Sequence, residues 1–77
     1  MNKPRRKRIE EAQSRLEELK CEIESILEEE QEALDNMPES FQESDRGQQM
    51  QEAVEALESA VSSCEELDEY LTDAREH

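Results

Sequence analysis

Apolar side chains recur at Ile9, Ala12, Leu16, Leu19, Ile23, Ile26, Ala33 and Met37, at intervals alternating between three and four, with Glu30 standing where an apolar residue is due. Such a seam returns to one face of a helix every 3.5 residues and predicts a helix over residues 9–37. Leu27 and Leu34 lie beside the seam and widen it toward its end. A second series, Met50, Ala53, Leu57, Ala60, Cys64, Leu67, Leu71 and Ala74, keeps the same rhythm and predicts a helix over 47–75. Val54 and Val61 widen this second stripe, and Asp68 interrupts that flank.

Between the two series the stretch from Asn36 to Gly47 holds the only glycine and the second of two prolines, which places a connector over 38–46. Pro38 restricts Met37 and ends the first helix near it, although proline also suits the first turn of a short helix through Gln42. Ser44 or Asp45 can cap the second helix, and Asp45 with Gln48 has capping-box spacing. So short a connector makes the helices antiparallel, with residues whose numbers sum to about 84 at one level. Leu57 is then expected opposite Ile26 and Leu27, and Leu67 opposite Leu16. Small residues at Ala12, Ala33, Ala53, Ala60 and Ala74 let backbones approach closely. The fold class is all-α, one domain over 1–77, an antiparallel helical hairpin.

With 77 residues the core of one hairpin is small, and stripes this broad exceed what one partner helix covers. Self-association into a four-helix bundle, or a higher oligomer, is the expectation. Leu16, Leu19, Ile23, Ile26, Leu27, Leu34, Val54, Leu57, Val61, Leu67 and Leu71 form the expected oligomer seam, and the Leu27/Leu34 and Val54/Val61 flanks are the surfaces expected to meet a second copy.

Charge adds a second layer. The net charge is −14, which disfavours nucleic-acid backbone binding by the surface as a whole and attracts basic partners. A basic arm over 1–8 places Lys3, Arg5, Arg6, Lys7 and Arg8 together, whereas all 23 acids lie from Glu10 onward. The arm either contacts phosphates or neutralises the facing Glu65, Glu66, Asp68, Glu69, Asp73 and Glu76. No apolar run is long enough for a membrane span and no signal-peptide core follows the basic start, so a cytoplasmic location is expected. Cys21 and Cys64 give neither a zinc pattern nor a disulfide framework, and helical phase sets Cys21 away from the seam that carries Cys64. No cofactor, metal or catalytic residue is expected: there is no Glu-x-x-His pair, and the sole histidine is His77.

Candidate binding residues gather at the connector, where Phe41, Arg46, Gly47, Gln48 and Gln49 accompany a helix start whose free N–H groups suit an anion. The structural alternative has Phe41 plugging the end of the bundle and Arg46 paired with an acid. Glu30 either faces a ligand or extends to water. The acidic runs are either solvated faces or an imitation of a nucleic-acid phosphate array.

The stretch Glu29 to Gln42, with Arg46-Gly47 and the helix start from Met50 to Leu57, resembles a group of small acidic proteins encoded by phages and prophages of Gram-positive bacteria. Such a likeness implies a phage context and not a mechanism. Small phage proteins of this kind are often accessory factors that disable host defences by binding, so the expectation is a protein that binds and blocks a host protein, of defence or of nucleic-acid binding, in the host cytoplasm. Pro38, Ser40 and Arg46 ahead of an alanine-rich helix are also similar to the compact helical phage sponges that capture cyclic-nucleotide signals, which implies a nucleotide ligand. An assembly component of the virion is a third possibility.

Overall fold

The computed structural model describes all 77 residues, as helices α1 (Lys3–Asp35), α2 (Glu39–Gln42) and α3 (Asp45–Glu76), with no strand. The long pair α1 and α3 pack against each other as an antiparallel hairpin measuring 58 × 15 × 12 Å. The all-α hairpin expected from the apolar rhythm is therefore the fold.

The helix bounds differ from expectation at three of the four long-helix ends by more than a residue. Residues 3–8 are no separate arm but the first turns of α1, because Asn2 accepts a hydrogen bond from the Arg5 backbone N–H at 2.9 Å and Pro4 lies in the first turn. Apolar spacing is silent there, since it begins only at Ile9. At the far end α1 stops at Asp35, and the connector carries a single turn, α2, after Pro38. The Gln42 amide donates to the carbonyls of Leu34 at 3.2 Å and Met37 at 2.9 Å, tying α2 back to the end of α1. Helix α3 begins two residues early, at Asp45. Its cap is Ser44, whose hydroxyl accepts from the Gly47 N–H and donates to the Phe41 carbonyl. Asp45 sits inside the first turn, where a carboxylate favours the helix dipole, so the Asp45/Gln48 capping box does not form.

Hydrogen bonds and ion pairs fix the register. Gln13 donates to Thr72 at 2.9 Å, Lys20 pairs with Glu65 at 3.6 Å and Arg75 with Glu10 at 3.8 Å. Each pair of numbers sums to 85, within one of the expected level.

The rotation of the helices within that register departs from expectation. Ile9, Leu16 and Ile23 of α1, Met37 just beyond it, and Met50, Leu57, Cys64 and Leu71 of α3 lie on the contact, as the seams foresaw, all of them buried or half-buried. The row that completes it is Gln13, Lys20, Leu27 and Leu34 on α1, facing Arg75, Asp68, Val61 and Val54 on α3. Leu34 and Val54 are buried in it, and the Arg75 guanidinium donates to Gln13 at 3.1 Å. Leu19, Ile26 and Leu67 instead stay 49%, 45% and 48% exposed, and Ala33 is exposed. Leu67, expected opposite Leu16, thus stays half exposed, and the Leu27/Leu34 and Val54/Val61 flanks, expected to await a second copy, turn into the hairpin itself. Area explains the choice: near the connector, turning Leu34, Val54 and Val61 inward buries more apolar surface than turning Ala33, Ala53 and Ala60 inward, at roughly 25 cal/mol per Å2. Nearer the termini the same row is polar, and its members bond to one another.

Cys21 is exposed, Cys64 is buried and both are free, as their phases require.

Gly47 marks the tightest place in the fold. A Cβ there would lie under 3.0 Å from the carbonyl oxygens of Phe41 and Gln42, because the end of α2 rests directly on the first turn of α3. Its φ is not positive, so space rather than backbone conformation demands the glycine. Gly47→Ala is expected to lower stability by about 1–3 kcal/mol, through the backbone shift it forces, in denaturant melts followed by circular dichroism. An alanine variant as stable as the parent would show that the connector packs more loosely.

Candidate functional site

The hairpin has two unlike sides. Residues one position after each shared seam residue are Glu10, Glu17, Glu24 and Gln31 on α1, and Gln51, Glu58, Glu65 and Thr72 on α3. Residues three positions after are Ala12, Leu19, Ile26 and Ala33 on α1, and Ala53, Ala60, Leu67 and Ala74 on α3. Reversing a helix mirrors its wheel, so rows of equal offset on antiparallel helices fall on the same side of the pair. One side is therefore acidic and the other apolar.

On the acidic side a shallow groove is lined by Leu16, Glu17, Lys20, Cys64, Glu65, Asp68 and Glu69, and a neighbouring one by Cys21, Glu24, Ser25, Leu27, Glu28 and Val61. Lys20 is half-buried at its centre. Partial desolvation alone would lower its ammonium, but the carboxylates of Glu65, Glu17 and Glu24 outweigh this and hold it above its ordinary value of 10.5. The Gln13 amide reaches the carboxylate of Asp68 at 3.1 Å as well as Thr72. These contacts join the buried Leu16 and Cys64 in holding the terminal half of the hairpin together, and sequence pattern missed them because it weighs only apolar positions. No group of three or more His, Cys, Asp or Glu side chains is arranged to hold a metal ion.

The connector residues are dispersed. Phe41 is 59% exposed and plugs nothing, and Arg46 is exposed and has no acid within ion-pair distance, so neither part of the structural alternative holds. Gly47 is buried under Gln42, and its role is spacing. Gln48 and Gln49 are exposed, and Asp45 beside Arg46 places a negative charge at the helix start where an anion would bind. Glu30 is half-buried, flanked by exposed Glu28 and Glu29. No cavity joins these residues.

The basic cluster is also rearranged. Of the cations expected to neutralise the C-terminal acids, Lys3, Arg5, Arg6, Lys7 and Arg8 form no ion pair; Lys20 and Arg75 make the two that exist. Arg5 and Arg8 instead join Arg15 around a cleft floored by Met1, Ile9 and Ala12, on the rim of the apolar side. Arg15, outside the basic stretch, belongs to this cluster because it follows Arg8 by one heptad. No helix is long and apolar enough to cross a membrane.

Because Lys20 is held above its ordinary value, its stabilising contribution is complete below pH 10.5 and lost as pH rises through the higher folded value. The alkaline fall in melting temperature should accordingly be smaller in Lys20→Met than in the parent; equal falls would mean the Lys20 contacts carry no stability. Comparison with protein-family models, with curated proteins and with solved structures finds no match for the chain.

Proposed function

We propose that this is a non-enzymatic accessory protein of the phage type, acting in the host cytoplasm by binding and occupying a basic host protein, one that serves defence or grips nucleic acid. The observation that carries the reading is the acidic side. Glu10, Glu17, Glu24, Glu58 and Glu65 line it, and within that stretch its cations, Lys20 and Arg75, are already engaged by Glu65 and Glu10. Carboxylates on two rigid helices form a fixed anionic strip that draws a cationic partner over a distance and holds it without ordering cost in the protein itself. A target evolved to grip a polyanion presents the complementary surface.

The test is affinity capture from a Gram-positive host lysate with the parent chain and with Glu17→Lys/Glu24→Lys/Glu58→Lys, all exposed positions. A basic protein should be retained by the parent, be released by salt, and be lost from the triple variant while its helicity is unchanged. Recovery of no protein, or equal recovery by the triple variant, would refute the reading.

A second reading, a sponge for a cyclic nucleotide, is favoured by Phe41 and Arg46 of the connector region, an exposed ring and an exposed cation that forms no ion pair. It requires a rise in melting temperature with cyclic nucleotides that Arg46→Ala abolishes. A panel of such ligands without a shift removes it.

A further inference from the structure

We propose that the apolar side of the hairpin is closed by a second copy of this chain, packed head to tail about a two-fold axis at the level between Glu22 and Ile23, making a four-helix bundle. This stands apart from the host-protein reading, which uses the opposite side. Four observations carry it.

First, the exposed row is a core surface without a core. Its four layers are Ala12 with Ala74, Leu19 with Leu67, Ile26 with Ala60, and Ala33 with Ala53. Each of these pairs sums to 86, so each spans the hairpin at one level. Leu19, Ile26 and Leu67 remain nearly half exposed, and only Leu16, Leu34, Gly47, Val54 and Cys64 are buried in the whole chain. A core this small stabilises a hairpin weakly on its own.

Second, the row has the symmetry of an isologous contact. Along α1 it reads Ala, Leu, Ile, Ala, which is small, large, large, small in either direction. Its midpoint lies between Glu22 and Ile23, which is also the midpoint of the span from Lys3 to Gln42 that α1 and α2 cover. A two-fold axis there overlaps the two hairpins over their full length and matches alanine layers with alanine layers and large layers with large ones. The hairpin is 58 Å long, so a second copy overlapping its full length has room for an interface of the ~800 Å2 per partner that stable complexes bury.

Third, charge selects the orientation. The connector half, residues 23–63, carries twelve acids and one cation, Arg46, whereas the terminal half carries eleven acids and eight cations. Two copies aligned the same way would stack one strongly negative half on another. Head to tail, each connector half meets the half that holds the cations.

Fourth, the arginine cleft falls on the seam between copies. The axis sets Arg15 within one residue of the level of Glu29 in the other copy, and both residues lie in the row bordering the apolar face. Both are exposed and neither makes an ion pair within its own chain. The same axis brings the two Glu22 side chains near each other, a repulsion that the two Arg15/Glu29 contacts offset.

Sedimentation equilibrium over roughly 1 to 100 µM, with circular dichroism of each variant, tests this. The parent should have about twice the 9.0 kDa mass of one chain. Ile26→Glu should leave a species of single-chain mass. Arg15→Glu should weaken association about tenfold, and adding Glu29→Arg should restore it to within about threefold, because the swap recreates both contacts. Single-chain mass for the parent throughout overturns the proposal. A dimer indifferent to Ile26→Glu overturns the choice of face, and a dimer weakened by Arg15→Glu but not rescued by Glu29→Arg overturns the head-to-tail orientation. Since Arg15 and Glu29 are exposed and unpaired in the single chain, the rescue is readable even where Ile26→Glu unfolds.

Discussion

The packing of Leu27 and Leu34 against Val61 and Val54 sets everything else in this molecule. Each helix offers two ways to complete its seam, one three residues after the shared positions and one four residues after. Near the connector the second way buries branched and larger side chains where the first offers mainly alanine. Once that end is rotated, the rest of both helices must follow, and polar residues are carried into the contact toward the termini. There Gln13, Lys20, Glu65, Thr72 and Arg75 form hydrogen bonds and ion pairs between the helices, so a bonded network continues the contact beside the buried Leu16 and Cys64. The connector supports the same packing: Ser44 caps α3, Gln42 bonds back to the Leu34 carbonyl of α1, and Gly47 lets α2 rest on α3.

The rotation divides the surface. Turning the alanine row outward leaves Leu19, Ile26 and Leu67 with half their surface free on one side, and sends glutamates to the other. The surface then has two unlike sides, one with its large apolar side chains half exposed and one lined by carboxylates. A helix pair with the opposite rotation would expose a mixed surface on each side and offer neither cleanly. The high negative charge is uneven too, since the connector half holds twelve acids against one cation and so repels the same half of another copy.

Much of this is legible in the sequence, and the part that is not has a definite cause. The shared seam residues, the antiparallel register to within one residue, the single-turn option after Pro38 and the separate fates of Cys21 and Cys64 all follow from spacing. The rotation does not, because a three-four rhythm and a four-three rhythm share half their positions, and the choice depends on side-chain size and on polar pairs that apolar periodicity ignores. The early start of α1 is written in Asn2 and Pro4, which outrank the absence of apolar spacing before Ile9. Gln42 reaches back eight residues to Leu34, a contact no local rule supplies. The connector residues looked like one site because they are neighbours in sequence. A helix end, however, disperses neighbours around an axis, leaving Phe41 and Arg46 exposed while Gly47 is enclosed.

The rotation itself is open to direct observation by methyl NOE spectroscopy on protein labelled at leucine, isoleucine and valine. Leu27 should show cross-peaks to Val61, and Leu34 to Val54, within one chain. Intramolecular cross-peaks from Ile26 to Leu57, with Leu27 giving none to α3, would mean that the helices pack on the alanine row and that the two-sided surface does not exist.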